Sequence, residues 1–318
     1  MMRRKIQLSA LVPFFILALL IICFDIATKG RIYSSQNIMN LFNQSVAILL
    51  GGLGMMMVAA MGATDISQGA LLALASFAGC SAAVKFGSLW MFPAAVGIGA
   101  LSGLFLGEIN ARLRVSSFMV SLAMLIAIRA LVNWLLASNV IMVPANMLFI
   151  DDIKVKLPVV ILLVLLTGYV FNYTRFGSYV KAIGENENAV KMAGINVKRI
   201  KIAAFVMSGV MASIAGVFTL IRVGGVNNTM GSGFEMKVMM AMFIGGIPVS
   251  GGTGTKLYKL IIGTFMIVLL ENGLVMCGAT GSITQGIRGV MLLAAVYLTM
   301  VVTDKVNLLN GKTAVAAN

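Results

Sequence analysis

Polar and ionisable side chains lie inside apolar stretches of this chain at three places. They are Asp65 with Ser67 and Gln68, Arg129 with Asn133, and Glu271 with Asn272. An ionisable group within a membrane span costs roughly 2.5–3.5 kcal/mol on insertion scales, so it faces a partner group or a water-filled cavity. The chemistry open to these side chains is hydrogen bonding, either between helices or to a polar solute.

The sequence has no residue set for catalysis or metal binding. Histidine is absent, which removes the commonest catalytic base and the commonest metal ligand. The three cysteines stand singly, without a CxxC pair. The only Gly-Lys-Thr triplet, at 311–313, has Val306 where a phosphate-binding loop needs its first glycine. We therefore expect no enzyme activity, no metal and no ATP hydrolysis by the chain itself.

Asp65 stands at the start of the third apolar segment and has two interpretations. Together with Thr64, Ser67 and Gln68 it can cap the start of a helix, which we favour over direct contact with a solute. A helix broken at membrane depth is tolerated only where it lines protein or water, so this segment also stays a candidate border of a path. We interpret the other two polar groups as ties between helices.

The elements that position these groups are membrane helices. The chain has 318 residues, of which 60% are hydrophobic and 11% charged, whereas globular domains are nearer 45–50% apolar and about 25% charged. Apolar segments close to 20 residues, the length that spans a bilayer, recur throughout. We predict ten spans, near 7–27, 43–61, 67–86, 89–111, 117–138, 157–173, 202–221, 236–250, 257–276 and 286–303.

The charges predict the orientation of these spans. The net charge of +14 falls mainly in connecting loops, which indicates positive-inside orientation in a lipid bilayer rather than nucleic-acid binding. With the basic N-terminus in the cytoplasm, loop 174–201 lies inside and loop 139–156 outside, and both termini are cytoplasmic. We interpret the first apolar segment as a retained helix rather than a cleaved signal. The whole chain, 1–318, is predicted to be one membrane domain with a disordered tail at about 306–318.

Loop 174–201 contains the polar sequence GENENAVKMAGINVKRIK. Two glycines bracket nine residues that can form two to three helical turns, with acidic residues early and Lys191 late, as the helix dipole favours. Ala189, Val190 and Ala193 share one predicted face. A helix this short persists only if something packs on its apolar side, so we predict a protein partner here; a solvated basic loop is the alternative. The contact is assigned to Gly184, Glu185, Asn186, Glu187, Ala189, Val190, Ala193 and Gly194.

Residues 174–218, TRFGSYVKAIGENENAVKMAGINVKRIKIAAFVMSGVMASIAGVF, closely resemble the cytoplasmic loop and following helix of sugar permeases in the ribose-type ABC importer family. Three further stretches agree with that family in the same order along the chain. They are GATDISQGALLAL at 62–74, ARLRVSSFMVSLAML at 111–125, and GFEMKVMMAMFIGGIPVSGGTGT at 233–255. The resemblance covers nearly the whole chain.

The resemblance implies an all-α polytopic bundle of about ten helices with a cytoplasmic coupling helix, in the bacterial cytoplasmic (inner) membrane. It implies import of a ribose-, xylose- or galactose-like monosaccharide. The implied partners are an ABC ATPase subunit docked on the 184–194 segment, an extracytoplasmic sugar-binding protein, and a second permease chain, identical or homologous. ATP is bound by the ATPase, and no cofactor by this chain. The seven polar residues named at the outset are then assigned to the translocation pathway or its gate.

Departures from the family pattern at Glu108, Lys237 and Glu271 bear on the substrate. Autoinducer-2, a nucleoside or a branched-chain amino acid are the alternatives within this class. An ion-coupled secondary transporter is an alternative from another class; Glu271 could serve as its relay acid, but the chain has no convincing inverted repeat. A non-transporting scaffold explains neither the 174–201 loop nor the glycine-broken spans.

Overall fold

A computed structural model describes residues 12–113, 115–137, 141–294 and 297. Apart from one isolated bridge between Met142 and Gly225, the regular structure of these ranges is helical. The helices are α1 Val12–Thr28, α2 Ser35–Ala60, α3 Gln68–Phe86, α4 Met91–Leu113, α5 Ser117–Ala137, α6 Ile153–Tyr173, α7 Arg175–Met192, α8 Val197–Val223, α9 Phe234–Ile244, α10 Leu257–Met276, and α11 at 281–294.

Within the described residues, seven helices are long and apolar enough to cross a membrane: α2, α3, α4 with the short turn before it, α5, α6, α8 and α10. α1 is also apolar but shorter, with its apolar part at Pro13–Thr28. The predicted all-α, multi-pass architecture is thereby confirmed. The count of about ten spans and the cytoplasmic location of both termini stay predictions. The last predicted span, 286–303, is described only as far as α11, and the predicted tail at 306–318 lies outside the described residues.

The predicted eighth span, 236–250, is not one continuous helix. α9 has 11 residues, which at about 1.5 Å per residue extend roughly 16 Å, about half of a bilayer core. It ends at Ile244, directly before Gly245 and Gly246, and Gly246 adopts a left-handed φ of +85°. Pro248 follows, and between α9 and α10 the chain forms a short 3-10 turn at Gly252–Gly254 rather than a continued α-helix.

The chain separates into two compact units, which are described separately. The first contains α1, the start of α2 up to Ser45, Met240–Val249 and the chain from Tyr258 onward. The second contains Val46–Met239 and Ser250–Leu257. The prediction of a single membrane domain stays a prediction.

In the second unit, α4 and α8 pack with their backbones close together. Gly103 and Gly107 face α8, where a Cβ atom would lie 2.8 Å from Val206 Cα and 2.9 Å from Ile202 Cα, respectively. Gly54 of α2 faces the same helix, and a Cβ atom at Gly54 would lie 2.8 Å from Ser208 Cα. Small residues permit such close packing in membranes. These contacts fix the helix that carries Ser208.

In the first unit, α10 uses glycines in the same way. A side chain at Gly263 would collide with the Ala241 carbonyl, and one at Gly273 would collide with the ring of Phe24 on α1. Lys259 donates to the carbonyl of Gly246 at 2.7 Å. These contacts hold Glu271, which lies on α10, at a buried position.

Candidate functional site

The predicted coupling segment is the second part of a longer helix. α7 begins at Arg175, after Thr174, whose hydroxyl accepts from the Gly177 N–H at 3.3 Å. The helix is interrupted at Asn186 (φ −159°, ψ 99°). The Asn186 side chain then accepts from the Ala189 N–H at 3.0 Å, as a helix N-cap does. The sequence analysis predicts a helix of two to three turns between Gly184 and Gly194. In the structure the helix begins earlier, at Arg175, and Asn186 interrupts it.

The first predicted coupling residues are engaged by the chain itself. Glu185 Oε1 accepts from the backbone N–H and the hydroxyl of Thr253, both at 2.8 Å. A Cβ atom at Gly184 would collide with the Ala60 carbonyl and lie 2.6 Å from Gly252 N. The backbone N–H and then the hydroxyl of Thr253 hold the pKa of Glu185 below its ordinary value. The carboxylate thus stays ionised near neutral pH.

The three residues of the predicted apolar face, Ala189, Val190 and Ala193, differ in their exposure. Val190 is buried, with 6% of its surface exposed, whereas Ala189 and Ala193 are exposed. Met192, beside them, is 83% exposed. Positions four apart share a helix face and adjacent positions do not, so Ala189 and Ala193 lie on one face and Val190 on another. The buried Val190 packs the short helix against its own chain. The exposed apolar face available to a partner consists of Ala189, Met192 and Ala193.

Glu187 joins the short helix to α8. Its carboxylate pairs with Lys191 Nζ at 2.6 Å and Lys201 Nζ at 2.8 Å. Burial raises the pKa of Glu187, but the hydrogen bonds and charges of the two lysines outweigh burial and leave that pKa below its ordinary value. After Gly194, which adopts φ +77°, Asn196 accepts from the Arg199 N–H at 3.2 Å and caps α8. The connection between the two helices therefore has an ion pair across it and a side-chain cap at the start of α8.

Asp65, Ser67 and Gln68 come together in one buried network. Asp65 Oδ1 accepts from the Ser67 N–H at 3.0 Å and the Ser67 hydroxyl at 2.6 Å. Its other oxygen accepts from the hydroxyl of Ser208 on α8 at 2.6 Å. Gln68 donates to Ser208 Oγ at 2.8 Å and to the Gly51 carbonyl at 3.1 Å. Asp65 thus orders the turn before α3 and ties that turn to α8. Ser67 is the N-cap residue of α3 and makes no side-chain capping bond, so the capping role of Asp65 stays a prediction.

This network lies well inside the apolar part of the helices. Ser208 is 11 residues beyond the start of α8 at Val197, or about 16 Å along the helix axis. Gln68 is fully buried, and within the described residues its Oε1 atom has no hydrogen-bond partner. A buried amide oxygen without a donor is costly. The network therefore has acceptor capacity for a hydroxyl group or a water molecule.

Arg129 contacts the chain just before α9. Its Nη1 atom donates to the Met230 carbonyl at 2.6 Å, and Asn133, one turn further on, is exposed. Glu235, in the first turn of α9, is buried and lies against Gly69 of α3. Its Oε2 atom has no hydrogen-bond partner in the part of the chain described. Arg129 therefore ties α5 to the non-helical segment before α9 rather than to another helix, and Glu235 lies in the first turn of that next helix.

Glu271 and Asn272 lie in the first unit. Glu271 is buried and forms an ion pair with Arg288 of α11 at 3.1 Å. Asn272 is half-buried, and its Oδ1 atom has no hydrogen-bond partner among the described residues. Glu271 therefore ties two helices together, as the sequence analysis favours.

Ser208, Glu235 and Thr253 are absent from the sequence-based site. Thr253 and Glu235 carry a signal that could have identified them, because each adjoins a glycine cluster, at 251–254 and 231–233. Ser208 carries none, since its partner Asp65 is 143 residues away.

Comparison with known proteins identifies the family. Residues 37–296 match the family described as the branched-chain amino acid transport system / permease component. The chain is 29% identical to the ribose import permease protein of Escherichia coli (strain K12) over 89% of this chain and 92% of that protein. It is 30% identical to the fructose import permease protein of Rhizobium meliloti, over 91% and 84%. It is 26% identical to the xylose transport system permease protein of Haemophilus influenzae, over 93% and 97%.

No solved structure matches the chain. The family match extends from α2 into α11 and includes the coupling segment and all three polar groups. The relatives are permease proteins of transport systems, and the seven long apolar helices agree with that assignment. The chain therefore belongs to the permease-component family of the branched-chain amino acid transport system and is a multi-pass, non-enzymatic permease of the bacterial inner membrane.

Proposed function

We propose that the chain is the transmembrane subunit of an ATP-driven, binding-protein-dependent importer for a monosaccharide. The observation that carries the proposal is the similarity, over about nine-tenths of the chain, to permeases named for ribose and fructose. The family description names branched-chain amino acids, but the relatives reported above are named for sugars. An acceptor-rich network with an unused Gln68 oxygen suits a hydroxyl-bearing solute better than an aliphatic side chain.

The proposed mechanism assigns three roles along the chain. The exposed face of Ala189, Met192 and Ala193 docks on a separate ATPase subunit, which binds ATP; this chain holds no cofactor. An extracytoplasmic binding protein delivers the sugar. Two permease chains, identical or homologous, enclose the path, and about ten spans place both termini of each in the cytoplasm. The polar groups around Asp65, Arg129 and Glu271 border the path or its gate.

Identification of the ligand of the cognate binding protein tests the substrate. The binding protein encoded beside this permease is purified, and its affinity for D-ribose, D-xylose, D-galactose, D-fructose and leucine is measured by calorimetry. Uptake of the labelled ligand is then compared in cells with and without the permease. We expect one monosaccharide to bind and its uptake to require the permease. Binding of leucine alone would assign the chain to amino acid transport.

A further inference from the structure

Three chain segments meet with their backbones in contact beside α7. Loop 250–254 packs on the end of α2, where a Cβ atom at Gly251 would lie 2.6 Å from Gly62 N. It also packs on α7, where a Cβ atom at Gly184 would lie 2.6 Å from Gly252 N. Gly251 and Gly252 adopt left-handed φ angles of +77° and +78°. The contact leaves no room for side chains, so these segments cannot slide past one another without separating.

Glu185 closes this contact with hydrogen bonds. One carboxylate oxygen accepts both the N–H and the hydroxyl of Thr253, at 2.8 Å each. Hydrogen bonds to an ionised acceptor are stronger than neutral ones. The next carboxylate, Glu187, pairs instead with Lys191 and Lys201. Glu185 is thus the side chain of α7 that holds loop 250–254.

The end of α2 leads directly into the buried network. Residues 61–67 connect α2 to α3, and Asp65 within them bonds to Ser208 of α8. Thr64 adds a further contact, since its N–H donates to the Ser117 hydroxyl at the start of α5 at 3.1 Å. A continuous series of packed and hydrogen-bonded segments therefore runs from α7 through loop 250–254 and α2 to the break before α3. Contiguous packed and hydrogen-bonded segments of this kind can carry coupling between sites, and the experiment below tests whether this series does.

We propose that Glu185 is a positioning residue that latches α7 to loop 250–254, so that displacement of α7 moves the 61–67 segment. Its role is internal to the permease rather than a charge presented to the ATPase. The inference rests on the proposed function only in taking α7 as the segment that an ATPase moves.

Two substitutions separate an internal latch from a charged contact. E185Q keeps an oxygen that can accept both Thr253 donors but removes the charge. E185A removes both the acceptor and the charge. A latch is only weakened by the first substitution, which keeps neutral hydrogen bonds, and fails with the second, whereas an ionic contact with a partner fails with both.

The test measures displacement at the 61–67 segment without needing the sugar. Ala63 is half-exposed, and A63C is placed in a chain carrying C23S and C277S, because those cysteines are exposed. The permease is co-purified with its ATPase, and maleimide labelling of A63C is timed with and without ATP trapped by vanadate. We expect ATP to change the labelling rate of the parent chain. E185A should keep the ATPase bound but reduce the ATP-induced change in labelling rate about tenfold, since both hydrogen bonds are lost. E185Q keeps both bonds without the charge and should reduce that change less, about threefold.

T253V and D152A complete the design. T253V removes only the hydroxyl donor and should reduce the ATP effect about threefold, which tests the latch even if E185A fails to assemble. D152A is the matched control, because Asp152 also accepts a backbone N–H, that of Lys154 at 3.0 Å, at the start of α6; its response to ATP should equal that of the parent chain.

Equal damage by E185Q and E185A, or a full ATP response in E185A, would overturn the latch. A parent chain that does not co-purify with the ATPase would instead contradict the proposed function, so the two failures are distinguishable.

Discussion

At the residue scale, Asp65 shows how far local sequence reasoning extends. The local turn, with Asp65 just before a helix start, follows from residue types and spacing. The bond to Ser208 does not, because it joins residues 143 positions apart and depends on the close approach of α2 and α8 at Gly54. One carboxylate therefore serves both a turn and an interhelical tie.

Ser208 is expected to contribute to the stability of the permease and to transport. S208A removes the donor to Asp65 and the acceptor for Gln68, leaving buried groups unpaired at roughly 1–3 kcal/mol each. We expect a lower melting temperature of the detergent-solubilised permease and reduced uptake. S213A is the matched control on α8, because that buried hydroxyl bonds only the carbonyl of Gly209 in its own helix. Equal melting temperatures for the two variants would show that the network contributes nothing to stability.

At the element scale, α7 was predicted in part. Its composition indicated a short helix with acids first and Lys191 late, and Gly194 marked its end. The helical start at Arg175 was missed, because the sequence of residues 175–183 is typical of a basic loop. In the structure Thr174 caps this helix, and Lys181 donates to the Phe171 carbonyl at 2.9 Å. Val190 was placed on the wrong side, since the break at Asn186 sets the rotation of the short helix.

The exposed face of α7 carries the second prediction. Ala189 and Ala193 lie on one side of the short helix and are exposed. A189R or A193R puts a bulky charge into the proposed ATPase groove, and burial of an unpaired charge costs several kcal/mol. We expect normal membrane insertion but loss of ATPase co-purification and of uptake. K191Q, which only weakens the pair with Glu187, should remain near wild type. Full assembly of both arginine variants would mean that this face is solvated and unpartnered.

At the scale of the whole molecule, hydropathy predicted most helices because the bilayer imposes both length and composition. The boundaries of α3, α5 and α10 agree with the predicted spans to within about a residue. α9 was mispredicted as a full span, because residues 236–250 are apolar enough but are broken by Gly245 and Gly246. The four-residue spacing of Gly99, Gly103 and Gly107 is a readable signal for the α4–α8 contact.

Orientation in the membrane is the third prediction. S178C and N146C place cysteines at exposed positions of α7 and of the turn after α5. The charge distribution puts the first inside and the second outside. An impermeant maleimide added to intact cells should label N146C and spare S178C until the cells are opened. The reverse pattern would invert the proposed topology and remove α7 from reach of an ATPase.

The central claim is that ATP, and not an ion gradient, drives transport through this chain. The Glu271–Arg288 pair gives the acid proposed for an ion-coupled carrier a structural role instead. The direct measurement is uptake of the labelled sugar into proteoliposomes containing the permease and its ATPase, with the binding protein outside and ATP inside. We predict uptake that requires both ATP and the binding protein and that persists with a protonophore. Uptake that needs no ATP and collapses with the protonophore would contradict the account.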